Sequence, residues 1–322
     1  MKLGQPNLEE YKVYVFVQSY NRKALLETSI ASFQSVLGND SRFQLCIYDA
    51  GSSDGSIEYL NAFQNEFGTI PFFVSKPSKL SFSAGHNRLL REIENVEKHN
   101  AFVLFFETDN AILDREAIDK AIGVIQSGAA DAVGFTPLRY DGSKAGYGGA
   151  FPKKSEFIIG QRAMKWLRKK PSIQGRRGRE VFETEVAFTS PLLVRLELLK
   201  SIGGFDERNF PFGHSDTDLC KRIYEAGSRV LVLRSSSFIH DNLDQVFEWS
   251  NTRVRAYHRA TFRLLEKHDG PFSIVDRLFL IGRHAIELLV LGGLAMFSSV
   301  YRKKLVGRFE LLRRCWNGYD FA

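Results

Sequence analysis

NAFVLFFETDN, residues 100–110, is the stretch on which the fold turns. An unbroken apolar run, Ala101 to Phe106, stops abruptly at Glu107-Thr108-Asp109. Such a run reads as a strand buried on both faces. Strands of that kind belong to parallel sheets, whose ligands sit beyond the carboxyl ends. Two carboxylates at such an end suit a hard divalent cation, which commonly takes substrate phosphates as further ligands. The alternative is polar punctuation, with Asp109 opening a turn, and this stretch alone does not separate the two.

Outward from it, strands and helices alternate. Residues 11–19 (YKVYVFVQS) read as a first strand that stops at Tyr20-Asn21-Arg22, before a helical pattern over 23–37. Residues 43–48 form a second strand, which ends in the polar run Asp49 to Ser56. An amphipathic stretch follows, with Ile57, Leu60, Phe63 and Phe67 on one side. A third strand over 70–75, a helix over 83–96, a helix from about 114 to 126 and a strand over 132–135 complete the first half. This spacing predicts an α/β protein with right-handed crossovers and a mostly parallel, doubly wound, Rossmann-like sheet.

The second half predicts a strand over 186–194, a short helix over 196–202 and a turn at Gly203-Gly204-Phe205-Asp206-Glu207. A helix then opens at Ser215-Asp216-Thr217-Asp218, with Asp216 fitting as its N-cap, and stops at Gly227. A strand over 230–233 leads to His240 at a further strand end. Residues 137–182, rich in Gly, Lys and Arg, read equally as a loop over the site and as a surface insertion. From Asn251 the pattern is helical and basic. The long apolar run 278–300 contains Arg283, His284 and Glu287, which are costly at a bilayer centre. It fits an interfacial segment flanked by Arg302, Lys303, Lys304 and Arg308, and equally a helix packed on the sheet.

Composition narrows the class. The chain has 322 residues, 44% hydrophobic and 25% charged, an ordinary globular balance with room for one large or two modest domains. Cys46, Cys220 and Cys315 are odd in number and far apart, which excludes a disulfide framework and a zinc pattern and favours a reducing cytoplasm. The opening MKLGQPNLEE lacks the apolar segment of a signal peptide. The net charge of +7 gathers in two clusters, 153–179 and 253–314, which suit a polyanion or a solvated face. Neither G-x-G-x-x-G nor G-x-x-x-x-G-K-[ST] is present, so a nucleotide would be held by carboxylates and a metal rather than a glycine cradle.

Three places in the chain stand out as candidates. Asp49 lies at a strand end before the flexible Gly51, where a carboxylate could accept hydrogen bonds from a base or ribose. Ser53 or Asp54 is placed to cap the next helix, and a capped helix mouth also seats polar ligands. Asp216 and Asp218 share a helix mouth, where paired acids raise one another's pKa and make a base usable near neutrality.

These segments, in this order, resemble the family 2 glycosyltransferases, in particular the bacterial rhamnosyltransferase-like branch. VQSYNR (17–22), YDAGSSDGSIEYL (48–60), SFSAGHNRLL (81–90) and GGFDERNFPFGHSDTDLCKRIYEAG (203–227) carry the likeness, and VLFFETDN (103–110) takes the place of the D-x-D motif. The resemblance implies a GT-A fold over residues 1–250, followed by a basic helical region over 251–322. It implies inverting transfer from a nucleotide sugar, UDP- or dTDP-linked, to a glycan or lipid-linked acceptor. Cell-surface polysaccharide synthesis is the expected setting, in the cytoplasm or on the inner face of an anionic membrane, without nucleic acid as a partner. Carried over by position, Asp216 is the general base. Mg²⁺ or Mn²⁺ falls to Asp109, Glu107 and His240. The nucleotide sugar falls to Ser19, Tyr20, Asn21, Asp49, Gly51, Ser53, Asp54, Gly85, Asn87, Glu107 and Thr108. Two departures stand in the chain: Ser215 occupies the place of a usual Glu, and the first D-x-D acid is Glu107. The rival classes are a sugar-nucleotide nucleotidyltransferase, which would want a Gly-rich loop with Arg where Gln18-Ser19-Tyr20-Asn21 stands, and a non-catalytic sugar-nucleotide binder.

Overall fold

The structure is a computed structural model that describes residues 11–67, 72–74, 81–93, 100–160, 180–241 and 251–320. The outer ends of the expected third strand, the end of the helix expected over 83–96 and the basic stretch 161–179 lie outside the described residues. Two compact units emerge: Met1–Ala150 with Ile173–Pro211 and Ser215–Asp244, and Phe151–Ser172 with Phe212–His214 and Gln245–Ala322. The second unit thus takes two segments from before residue 250, where the sequence suggested a single boundary.

The first unit is built on an eight-stranded sheet. In chain order its strands are β1 (Lys12–Ser19), β2 (Phe43–Asp49), β3 (Phe72–Val74), β4 (Ala101–Phe105), β6 (Ala132–Phe135), β8 (Val181–Glu183), β10 (Leu192–Arg195) and β11 (Val230–Leu233). They lie side by side as β3-β2-β1-β4-β10-β6-β11-β8. Pairs β2–β3, β1–β2, β1–β4 and β6–β11 are parallel, while β10 and β8 run against their neighbours. The sheet is therefore mixed and mostly parallel, with helices following the strands. Helices α1 (Lys23–Leu37), α2 (Ser56–Phe67), α3 (Phe82–Glu92), α4 (Glu116–Gln126), α6 (Leu196–Ser201) and α7 (Ser215–Glu225) belong to this unit.

The apolar runs behave as their burial demands. β4 is buried at every position, as a central strand covered on both faces should be. Val13, Val15 and Val17 of β1 join Leu26, Ile30 and Phe33 of α1 and Ile118, Ile122 and Ile125 of α4 in one core. Cys46 and Cys220 are core thiols, and burial pushes both pKa values up to about 12.

The strand expected over 186–194 is broken. β9 (Val186–Ala187) pairs with β7 (Gly148–Gly149), and β10 begins only after Pro191. Proline has no N–H to give a ladder, so the chain leaves the sheet between the two pieces; the Ser190–Pro191 peptide is cis. A second difference lies past β4, where β5 (Asn110–Ile112) pairs antiparallel with β12 (Phe238–His240). Three residues are too short for a periodic signal, so neither this strand nor its pairing was legible.

The second unit contains α5 (Lys154–Ile159), α8 (Asn251–Asp269), α9 (Ile274–Ala295) and α10 (Ser299–Arg314), with a short 3-10 turn at Cys315–Asn317. Its core is aromatic: Phe157, Phe262, Phe272 and Tyr319 pack with Leu265, Leu280 and Leu311. The Phe262 and Phe272 rings stack with centroids 4.3 Å apart.

Candidate active site

The site collects at the carboxyl ends of β1, β2 and β4, as a doubly wound sheet requires. Two loops there are knitted together. After β1, Asn21 adopts a left-handed φ of 49°. Its backbone N–H donates to Ser52 Oγ at 2.8 Å, and its side-chain oxygen accepts from the Ser53 N–H at 2.8 Å. Asp54 accepts from the Lys23 N–H at 2.8 Å and from the Ser56 N–H at 3.1 Å, so one carboxylate caps the starts of both α1 and α2. No side chain of α1's own N-cap residue, Arg22, does this. Burial acts to raise the Asp54 pKa, but the bonds from Ser56 and from the Lys23 amide outweigh it and hold the carboxyl below its ordinary value.

Asp49 turns inward. It is fully buried, and its carboxylate accepts from Gly51 N–H at 2.9 Å, Ser52 N–H at 2.7 Å and Ser52 Oγ at 2.8 Å. Gly51 makes the turn at φ 81°. These bonds hold the loop after β2 in place around Asp49. Ser53 and Tyr20 remain exposed at the loop surface, and Ser19 is buried with its hydroxyl unbonded.

Beyond β4 the two acids of the E-T-D motif part company. Glu107 Oε1 lies 3.0 Å from His86 Nε2 on α3. Asp109 instead faces Arg22 Nη1, 3.3 Å from Oδ2, and His240 Nδ1, 3.5 Å from Oδ1. Thr108 between them is buried. The expected set of Glu107, Asp109 and His240 therefore does not close as a trio. No group of three His, Cys, Asp or Glu side chains converges on one point among the described residues.

Asp109 and His240 nonetheless fit a divalent ion. Asp109 Oδ1 is buried and makes no hydrogen bond. A bare carboxylate oxygen away from water is costly unless something positive meets it. Mg²⁺ or Mn²⁺ characteristically takes one or two protein carboxylates and completes its shell with phosphate and water. The pairing of β5 with β12 brings the two residues together, since His240 stands opposite Asn110 in the ladder. Ser190, just before Pro191, accepts from Asn110 Nδ2 at 2.5 Å and lies 3.2 Å from His240 Nδ1.

α3 links this end of the sheet to the loop before α7. Ser81 caps it, accepting from the Ala84 N–H at 3.0 Å. Asn87 donates to the Phe205 carbonyl and accepts from the Phe205 N–H, both at 2.8 Å. Its amide thus ties α3 to the turn at Phe205. Ser83 Oγ donates to the Phe210 carbonyl at 2.5 Å. Gly85 is tight for another reason: a Cβ there would lie 2.6 Å from Gln18 Nε2, a side chain that also reaches the Ser81 carbonyl.

Asp216 is the second residue of α7, not its N-cap, and Oδ1 accepts from the Thr217 N–H at 2.7 Å. Some of its surface is accessible, yet protein encloses the carboxyl, and this desolvation raises its pKa despite the Thr217 bonds. Asp218, expected as its companion acid, is fully buried and paired with Arg222 Nε at 2.8 Å. The two acids therefore do different work, and burial rather than a neighbouring acid tunes Asp216.

A model of glycosyl transferase family 2 matches residues 14–179. The chain belongs to that family. Its fold is also that of solved glycosyltransferases. The mannosyltransferase PcManGT from Pyrobaculum calidifontis, solved with GDP-Man and Mn²⁺, aligns over 98% of this chain and 88% of its own, at 13% identity and a TM-score of 0.54. S. aureus TarS 1-349, solved with UDP-GlcNAc, aligns over 94% and 81%, at 14% identity and a TM-score of 0.54. GalNAc-T7, solved with UDP, GalNAc and Mn²⁺, aligns over 81% of this chain and 48% of its own, at 12% identity and a TM-score of 0.58. No curated protein gives a significant match.

For this family 2 chain, sequence reasoning missed Arg22, His86 and Ser190. Arg22 and His86 lie inside the quoted VQSYNR and SFSAGHNRLL motifs. Ser190 precedes a proline inside an apolar run, itself a mark of a turn.

Proposed function

We propose that the chain is an inverting glycosyltransferase that moves a sugar from a nucleoside diphosphate to a hydroxyl of a glycan or lipid-linked acceptor. The observation that carries this is the buried, unbonded Oδ1 of Asp109 facing His240 beyond β4, in a chain of family 2. Asp109 and His240 would hold Mg²⁺ or Mn²⁺, which when bound supplies positive charge against the donor diphosphate. Two of the similar structures contain Mn²⁺ with a nucleotide or nucleotide sugar, which supports the same pairing here. The knitted loops after β1 and β2, with Ser19, Tyr20, Asn21, Asp49, Gly51, Ser53 and Asp54, are the proposed seat of the UDP or dTDP moiety.

Asp216 takes the proton from the acceptor hydroxyl as its oxygen bonds to the anomeric carbon. The bond from that carbon to the diphosphate breaks on the opposite face, so configuration inverts. A raised pKa makes Asp216 a stronger base than an exposed aspartate, provided the pH lies above that pKa. Placement in the cytoplasm, with the enzyme peripheral to the inner membrane face, follows from a lipid-linked acceptor. The order of the four sequence motifs supports the rhamnosyltransferase-like branch and a role in surface polysaccharide.

Asp216→Asn tests the base. We expect kcat to fall about 10²-fold or more while donor affinity, read by calorimetry, stays near that of the wild type. Near-normal turnover in the variant would remove Asp216 from the mechanism. Nucleotide release from a donor screen, with and without Mn²⁺, separates this reading from a non-catalytic binder, which would release none.

A further inference from the structure

Helix α9 buries polar groups on one side and exposes apolar ones on the other. Its packed side carries polar groups. His284 is fully buried with Nε2 2.7 Å from the Tyr319 hydroxyl, Arg283 donates to the Phe157 carbonyl, and Glu287 receives Arg308 Nη1 at 2.9 Å. Its outer side is apolar. Val275, Leu278, Phe279, Ile286, Leu289 and Val290 are all exposed, Leu289 at 79%, and Phe297 just beyond the helix at 85%. These recur at three- and four-residue steps, the spacing of one helical face. A contiguous apolar stripe of this kind is a docking surface rather than ordinary surface scatter.

Charge identifies the occupant. Between residues 274 and 316 the exposed charged residues are Arg302, Lys303, Lys304 and Arg313, all basic. Every acid in that interval is only partly exposed and engaged: Asp276 caps α9 through Ser273, Glu287 meets Arg308, and Glu310 meets Arg255. Two copies of this face would bring like charges together. An anionic lipid surface would meet both features, with headgroups for the basic residues and acyl chains for the stripe.

Helix α9 is also long and apolar enough to cross a bilayer. Crossing would strip Arg283, His284 and Glu287 of the partners that hold α9 to α5, to α10 and to Tyr319, and leave them in hydrocarbon. We infer that α9 and α10 form a peripheral membrane-docking face, in which the α9 stripe lies in the acyl boundary of an anionic leaflet and the α10 basic residues engage its headgroups. This deepens the peripheral setting proposed above but does not rest on sugar transfer, so either can fail while the other stands.

The full chain is floated with vesicles of phosphatidylcholine alone or mixed with phosphatidylglycerol, then with Leu289→Glu and with Lys304→Glu. Both substituted side chains are exposed, and thermal melts confirm folding. We expect flotation with the anionic vesicles, weakened at least about tenfold by Leu289→Glu and about fivefold by Lys304→Glu, and released by alkaline carbonate. Flotation that ignores both substitutions, or that resists carbonate as a spanning helix would, overturns the inference. So does a vesicle-free dimer that Leu289→Glu dissociates, since the stripe would then belong to a second copy.

Discussion

Asp109 shows how much a single side chain can be asked to do. One of its oxygens is met by Arg22, and the other is buried without a bond. An ion that joins Asp109 and His240 therefore meets a site with a carboxylate oxygen in reserve. Asp109→Ala should leave the sheet intact and remove the Mn²⁺ dependence of donor binding, read as equal calorimetric affinities with and without EDTA. A variant whose donor affinity still rises with Mn²⁺ would place the ion elsewhere. Asp54 works differently, because it accepts from two helix starts at once. Asp54→Ala should cost about 1–2 kcal/mol, the usual value of a lost cap, in chemical unfolding. A loss below a few tenths would mean that water replaces it at both helices.

At the scale of elements, the sequence was legible where an apolar pattern ends at clear turn signals. The strand over 132–135 and that over 230–233 match the structure residue for residue, and α1 runs over the expected 23–37. The strand that ends at His240 was legible, but the three-residue β5 and its pairing with β12 were not, and that pairing is what seats His240 beside Asp109. The Gly203-Gly204 turn was legible as a turn but not as a clamp. Gly204 has φ 67°, and a Cβ there would lie 2.5 Å from Asn87 Oδ1, the atom that accepts from Phe205. A side chain would have to adopt a disfavoured backbone and displace a buried amide together. Gly204→Ala should therefore cost about 1–3 kcal/mol, beyond the strain of positive φ alone. Thermal melts of this variant beside Gly203→Ala make the comparison, since Gly203 has φ 76° but open space around its Cβ position. Equal losses would show that only the backbone conformation matters.

For the molecule as a whole, the response to acid should be set first by histidines of the helical unit. Burial lowers the pKa of His258 to about 3 and of His214 to about 4, and it lowers that of His284. An unfolded histidine takes a proton near pH 6.5. Below that value the unfolded chain holds protons that the folded chain refuses, so stability falls as pH falls, until the folded pKa values are reached. Each unit of depression is worth about 1.4 kcal/mol at most, before any local opening relieves it. Asp40 of the sheet unit follows only in stronger acid, because the Arg42 hydrogen bonds hold it far below its ordinary range. Urea unfolding should thus lose stability steadily from about pH 6.5 to about pH 4, with little change from about pH 8 to 7. His258→Gln, which keeps a neutral polar group in place of a titrating one, should flatten that slope even if it lowers the plateau. A wild-type profile that is level down to about pH 4 would mean that these rings reach solvent in the folded protein, and that the second unit is packed more loosely than its stacked aromatic core suggests.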